Sequence, residues 1–272
     1  MNVNILYEDA HIFVVVKPPG MPSQAERSTA VDMVSYLKNL LARRDKVANP
    51  YVAVVHRLDR PVGGVMVYAK TPTAAANLSA QVSSRGVQKE YLAVLCGTLP
   101  NPQGHLEHYL RKDGRTNTSE VVATPEMIAT QGSVAKPGAV AKRADGKRPD
   151  YKSAKGQWPD GKRAALDYTV LDMATVAGNI YTLVDIRLET GRHHQIRVQM
   201  AAAGAPVAGD TKYGTGGGFR EMGLFSRKLV FKHPVSKKGM EFSAVPHGRP
   251  FDIFAKAQAA HPQTPGDSSC ES

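Results

Sequence analysis

The first place in this 272-residue chain where chemistry could be done is a single carboxylate, Asp59, set between Arg57 and Arg60. The surrounding stretch, HRLDRPVGGVMVYAKT from His56 to Thr71, reads as a strand entering a polar turn, a Gly63-Gly64 pair and an apolar strand leaving. Arginine stays protonated at physiological pH and favours the ionised form of a nearby Asp. An ionised carboxylate on a turn is a nucleophile in waiting or half of an ion pair. Taken alone, the stretch reads first as a hairpin whose Asp and Arg simply pair.

A second chemical stretch is GRHHQIRVQMAAAGAP, whose pattern predicts a helix over Arg192–Ala203 capped by Gly204. Its first turn, Arg192 to Gln195, is wholly polar, and a helix N-terminus carrying an arginine suits an anion. His193 and His194 are adjacent, so on a helix they would diverge by about 100° and could not share a metal as histidines four apart do. The loop that follows has five glycines between Gly209 and Gly218 but lacks the Gly-Lys-Ser/Thr ending of a phosphate-binding P-loop. No second acid stands near Asp59 in sequence to make the carboxylate pair of a glycosidase.

These groups need elements to position them. Short strands are expected at Val3–Tyr7 and Ile12–Val16, ended by Lys17-Pro18-Pro19-Gly20, with Lys17 read as a solvated lysine or a phosphate contact. A helix follows on Val31, Val34, Leu37 and Leu41, capped by Ser28 or Thr29, with Asp32 in its first turn. Strands Val52–Val55 and Val65–Ala69 flank the Asp59 turn. A helix from Thr71-Pro72 runs to near Gly86, and the strand Val87–Gly97 puts Lys89, Tyr91, Ala93 and Leu95 on one face. A strand around His105–Leu110 precedes a segment, 111–163, that loses its hydrophobic period. It holds twelve Lys and Arg against six Asp and Glu and is expected to be a basic insertion able to hold phosphates. Regular structure resumes with ALDYTVLDMA and the strand Ile180–Thr190, whose face Ile180, Thr182, Val184, Ile186, Leu188 should meet the core. A closing hairpin, Leu229–His233 with Met240–Val245, and a short helix at Phe251–Gln258 complete one unit over residues 1–256. Residues 257–272 read as a disordered tail.

With 42% hydrophobic residues the chain can bury a core. Lys and Arg number 35 against 24 Asp and Glu, a net charge of +11, which favours a polyanionic partner, nucleic acid before membrane. Two cysteines, Cys96 and Cys270, make no framework and fit a reducing cytoplasm. There is no leader-like start and no apolar run of about 20 residues, so a non-exported cytoplasmic protein is expected.

Three pieces in order, HRLDRPVGG, KEYLAVLCG and TGRHHQIRVQMAAAGAPVAGDTKYG, resemble the RluA-like RNA pseudouridine synthases, over most of the chain from Lys17 to the final strands. The resemblance implies a mixed α/β (α+β) catalytic domain, a largely antiparallel central sheet with flanking helices and a central active-site cleft. The small RNA-binding domain often found ahead of it is not expected here. No metal and no organic cofactor are implied, and the partner is ribosomal or transfer RNA, bound by a monomer. Asp59 matches the family's nucleophile, which attacks ribose carbon 1 or uracil carbon 6 of a flipped uridine. Arg192 matches the arginine that pairs with it, and Tyr91 the tyrosine that stacks on the uracil and takes part in removing the carbon 5 proton. Arg57 matches a residue that enters the RNA where the base has left, and Arg60, Lys89, Gln195, Ile196 and Arg197 are further expected RNA contacts. The family's Thr-Ser-Gly after the aspartate is Val62-Gly63-Gly64 here, which leaves open an RNA-binding protein without turnover. A nucleotide-phosphate enzyme built on the Gly209–Gly218 loop is a third reading.

Overall fold

The computed structural model describes residues 3–25, 31–125 and 161–255. Eleven strands form one sheet: β1 (Asn4–Glu8), β2 (Ile12–Lys17), β3 (Ala53–Val54), β4 (Gly63–Ala69), β5 (Gln88–Cys96), β6 (Gln103–Asp113), β7 (Thr118–Ala123), β8 (Lys162–Val176), β9 (Asn179–Leu188), β10 (Leu224–Lys232) and β11 (Gly239–Ser243). Their spatial order is β1-β2-β4-β10-β5-β9-β8-β6-β7, with β3 on β4 and β11 on β10. Every pairing is antiparallel except β4 with β10. Among the described residues the α-helices are α1 (Met33–Asp45), α2 (Pro72–Ser83) and α3 (Gln195–Ala202). This is the expected mixed α/β class, and none of these helices is long and apolar enough to cross a membrane.

Side-chain alternation along β2 and β4 explains the layers. Phe13, Val15, Met66 and Tyr68 pack with Met33, Leu37 and Leu41 of α1 in one core. Ile12, Val14, Val65, Val67 and Ala69 pack on the other face with Ala74 and Leu78 of α2. Each such fully buried Leu or Phe contributes on the order of 1.5–3 kcal/mol. The N-cap of α1 is Asp32, which accepts from the amides of Val34 and Ser35, rather than Ser28 or Thr29. Val31 accordingly lies outside the helix and is exposed. Thr71 caps α2 with Pro72 in the first turn, as expected. In β9 both faces are buried, since Tyr181 and Leu183 join a third core, while Ile180 at the strand's start is exposed.

The basic insertion begins later than its sequence suggests. Residues 111–123 continue β6 and form β7, a hairpin held by the cross-strand pair Arg111 and Glu120 and by Lys112 against Ser119. Its pattern is polar because the pairing is made by charges and hydroxyls, so no apolar period marks it. The rest of the insertion, 126–160, lies outside the described residues, as do the last three residues of the Phe251–Gln258 helix and the tail. A single turn of 3₁₀ helix, Phe251–Phe254, stands where that helix was expected.

The one parallel junction organises the centre. Gly64 of β4 pairs with Ser226 of β10, and Ser226 pairs with Tyr91 of β5, a row across three strands that ends five residues from Asp59. At Gly64 φ is +128°, and a Cβ there would collide with the Ser226 backbone, so only glycine lets β10 approach. The Gly63-Gly64 pair therefore lies inside β4 rather than in the turn.

Candidate active site

In HRLD, His56 and Leu58 are buried while Arg57 and Asp59 face outward, the alternation of an extended segment. The amide of Val62 donates to the Asp59 carbonyl at 3.0 Å and closes the turn. The KPPG loop grips this turn from below. Lys17 is fully buried, neither solvated nor free for phosphate, and its Nζ donates to the carbonyls of Pro18, Met21 and Arg60 at 3.0, 2.7 and 3.2 Å. The Gly20 amide also donates to the Arg60 carbonyl (2.8 Å), and Ser23 Oγ bonds both the carbonyl and the amide of Leu58 (2.8 and 3.1 Å). A rigid backbone thus carries Asp59, and the Val62-Gly63-Gly64 departure leaves its turn closed.

The facing wall is the entrance to α3, and its geometry corrects the expected ion pair. The helix starts at Gln195, not Arg192, because His194 takes a left-handed conformation (φ 53°) as its N-cap. A non-glycine residue there costs on the order of 1 kcal/mol and needs its surroundings to hold it. Gln195 does part of that, accepting at Oε1 from Thr190 Oγ1 (2.8 Å) and the Arg192 amide (2.9 Å) while Nε2 donates to the Ala165 carbonyl (3.0 Å). Arg192 is turned away by this entrance, and its Nε donates to the Arg163 carbonyl at 2.8 Å. The arginine that meets the carboxylate is Arg197, whose Nη1 lies 3.2 Å from Asp59 Oδ2.

Arg197 is itself held. Its Nε and Nη2 donate to Asp210 Oδ2 and Oδ1 at 2.7 and 2.8 Å, a two-pronged pair with both side chains buried. Asp210 Oδ1 also accepts from the amides of Lys212 and Tyr213. The glycine-rich loop thus turns these amides inward on Asp210, and its Gly209 amide goes to the Gly216 carbonyl, so it forms no phosphate cradle of its own amides at these positions. Burial alone would push the Asp210 carboxyl up, and the hydrogen bonds and charge of Arg197 outweigh it and hold it below the ordinary value. The Tyr213 ring lies under the guanidinium, 5.1 Å from Cζ.

His193 and His194 do not diverge: their rings stack at 3.7 Å, 24° apart. The left-handed turn between them, which a helical reading does not contain, brings them face to face. His194 Nε2 is 3.5 Å from Asp59 Oδ2, and His194 Nδ1 is 2.7 Å from Tyr213 Oη. Burial holds both imidazoles down to about 4, with Lys112 adding to it at His193 and the Asp59 charge opposing it at His194.

Between the walls lies an open cleft, with Asp59 and Tyr91 on one side and Arg192 and Arg197 on the other. Of the expected site residues it gathers Arg57, Asp59, Tyr91, Arg192, Gln195, Ile196 and Arg197, and not Arg60 or Lys89. Gln195, Ile196 and Arg197 are buried wall residues rather than an outer contact surface. Arg57 and Arg60 are exposed, the latter with Nε on the Gly20 carbonyl (3.0 Å). Lys89 is half-buried on the Tyr91 strand, and burial lowers its pKa. Tyr91 is buried, and burial followed by the Asp59 charge pushes its phenol up, so it stays protonated. Sequence reasoning passed over His194, Asp210 and Tyr213 as site groups. The signal was present in the GDTKYG piece, where a buried acid three residues before a tyrosine needed a cation.

Residues 11–202 match a family model described as RNA pseudouridylate synthase. Over 259 residues the chain is 32% identical to "Ribosomal large subunit pseudouridine synthase D" of Xanthomonas campestris, covering 89% of this chain and 65% of that protein. It is 31% identical to "Uncharacterized RNA pseudouridine synthase YjbO" of Bacillus subtilis, covering 89% and 72%. The chain thus spans just under two thirds of the length of the first of these relatives. The fold is shared with "Human RNA Pseudouridylate Synthase Domain Containing 1", at a TM-score of 0.64 and 22% identity, with 96% of each chain covered.

Proposed function

Because the chain belongs to the RNA pseudouridylate synthase family, we propose that it isomerises uridine to pseudouridine in structured RNA, with Asp59 as the nucleophile. The observation that carries this reading is the unequal treatment of the two Asp59 oxygens. Oδ2 is met by Arg197 and His194, while Oδ1 has no partner among the described residues, on a carboxylate that lines the cleft with Tyr91. A carboxylate anchored by one oxygen and free at the other is oriented for attack.

A target uridine leaves its stack and enters the cleft, where Tyr91 offers a ring to stack on. Oδ1 bonds to ribose carbon 1 or uracil carbon 6, the glycosidic bond breaks, the base turns, and carbon 5 joins carbon 1 of the ribose as Asp59 is released. Carbon 5 loses a proton and N1 gains one, so the product is an isomer. Tyr91 is a poor base while Asp59 is charged, since that charge raises its pKa. Once the carboxylate is covalently bound the charge is gone, and the phenol becomes easier to deprotonate at the stage where the carbon 5 proton must leave.

Arg57 and Arg60 at the surface, with Lys89, are the phosphate and base contacts of this reading, and Arg197 is the counter-ion in place of Arg192. Large-subunit ribosomal RNA is the first substrate to test, since a relative carries that substrate in its name, and transfer RNA is the second. RNA made with tritium at carbon 5 of uridine is incubated with the protein. Release of tritium into water that disappears in Asp59→Ala is the expected result, and no release from either RNA class would sink the proposal.

A further inference from the structure

The hydrogen-bonding of the paired histidines fixes where their protons lie. Tyr213 Oη accepts from the Ser119 amide at 2.7 Å, and the one other polar group it meets among the described residues is His194 Nδ1, also at 2.7 Å. Among the described residues the phenolic hydrogen then has Nδ1 as its acceptor, an arrangement that leaves the ring proton to Nε2. At the other side of the ring a carboxylate, an acceptor only, faces Nε2 at 3.5 Å. Both ends of the ring therefore ask for the same tautomer, with the proton on Nε2. His193 has the opposite one. Ser119 Oγ donates to the His193 carbonyl (2.9 Å), so it can only accept from His193 Nδ1 (2.9 Å). One buried serine on β7 thus sets both rings, through its amide by way of Tyr213 and through its hydroxyl.

We propose that His194 is a positioning residue for the nucleophile: its Nε2–H, fixed by Tyr213, stands on the side of the Asp59 oxygen that Arg197 also holds and, in the complex with RNA, bonds that oxygen and keeps Oδ1 as the attacking atom. This rests on Asp59 being the nucleophile. The groups that face the ring are Asp59 from the β3–β4 turn, Arg197 from α3, the stacked His193, and Lys212 with Tyr213 from the glycine-rich loop. Burial and the neighbouring cations keep the imidazole neutral at pH 7. It acts as a neutral donor, then, and Arg197 supplies the charge. At 3.5 Å the two atoms are in ion-pair range without a formed hydrogen bond, and catalytic contacts of this kind often tighten only when substrate is bound.

The test begins with ¹⁵N-edited NMR of the histidine rings in the full chain, the His194 signal being identified by its loss in His194→Gln. The Nε2–H tautomer is expected, and an Nδ1–H tautomer would overturn the proposal. Tyr213→Phe keeps the ring under Arg197 but removes the hydroxyl. It is expected to mix the His194 tautomers and to lower kcat about tenfold with KM within twofold. His194→Gln, which offers an amide N–H near the place of Nε2, should retain more turnover than His194→Ala. Unchanged kcat in Tyr213→Phe, or equal activity of the Gln and Ala variants, would refute the positioning role. Should the wild-type protein release no tritium, it is the functional reading that fails, and the NMR result still decides the tautomer.

Discussion

Two arginines in this molecule sit between two carboxylates with a histidine close by, and one arrangement is a site while the other is a brace. Arg197 stands between Asp210 and Asp59, beside His194. Arg163 of β8 stands between Glu107 of β6 (2.6 Å) and Glu189 after β9 (3.2 Å), beside His105, which pairs with Asp167 at 2.7 Å. The inventory of charges is nearly the same. The surroundings are not: the Arg197 and Asp210 side chains are 5% and 0% exposed, against 27% and 38% for Arg163 and Glu189. The Arg163 cluster lies on a solvated sheet face, where strand register brings His105 opposite Asp167. In the Arg197 cluster one acid, Asp210, is fully used to aim the arginine, and the other, Asp59, lines the cleft with one oxygen that meets no partner among the described residues. A reactive group is made by satisfying its neighbours completely and the group itself only in part.

The strongest way to break this comparison is to remove each arginine. Arg197→Met leaves Asp210 buried without its cation, a loss of about 3–5 kcal/mol, together with loss of turnover. Arg163→Met removes a partly solvated pair and should cost about 1 kcal/mol or less, with turnover within about threefold. Denaturant unfolding of the two variants measures the difference. Equal losses would show that burial does not distinguish the clusters.

A finer contrast lies within one motif. Arg192 and Arg197 are five residues apart, line the same cleft, and differ in what they hold. Arg197→Lys keeps a charge but cannot bond both oxygens of Asp210 while reaching Asp59, so kcat should fall by about 10- to 100-fold. Arg192→Lys forfeits one bond to the Arg163 carbonyl, and kcat should change by about threefold or less. Tritium release under saturating RNA reads both, and the reverse ranking would restore Arg192 as the counter-ion.

That reversal shows what could be read from residues alone. The turn bearing Asp59 was legible, because a polar Asp-Arg-Pro break between apolar runs marks a turn, although the Gly63-Gly64 pair assigned to it belongs to β4, and the Tyr91 strand was legible too. The resemblance carried by HRLD, KEY and GRHHQIR put Asp59, Tyr91 and this helix entrance together. It named Arg192 as the arginine that pairs with the acid, whereas the left-handed turn at His194 starts the helix later and Arg197 takes that place. The same turn stacks two histidines that a helix would separate. Lys17 was misread because a lysine next to two prolines looks like a solvated loop, whereas three carbonyls replace its water. The β6–β7 hairpin, which carries Ser119, was lost among charges because its strands pair through Arg111 and Glu120 rather than through an apolar stripe.

The smallest effect separates the two clusters by pH. His193 and His194 are held down to about 4 in the fold, against about 6.5 for an unfolded histidine. Between these values the folded state binds fewer protons than the unfolded one, so stability is full above pH 6.5 and falls as pH drops toward 4. For the buried His194 this amounts to about 1 kcal/mol between pH 7 and 5.5. The exposed cluster responds lower. Burial tends to raise the Glu107 carboxyl, but the hydrogen bond and charge of Arg163 hold it below its ordinary value, so its contribution is present above the unfolded carboxylate pKa, about 4.3, and is lost only as pH falls below that. Unfolding at pH 7.5, 6.5, 5.5 and 4.8 should therefore show a slope that His194→Gln flattens and Glu107→Gln does not. A slope in this range that survives His194→Gln and a matching His193 variant would mean that the stacked pair is not what the fold keeps neutral.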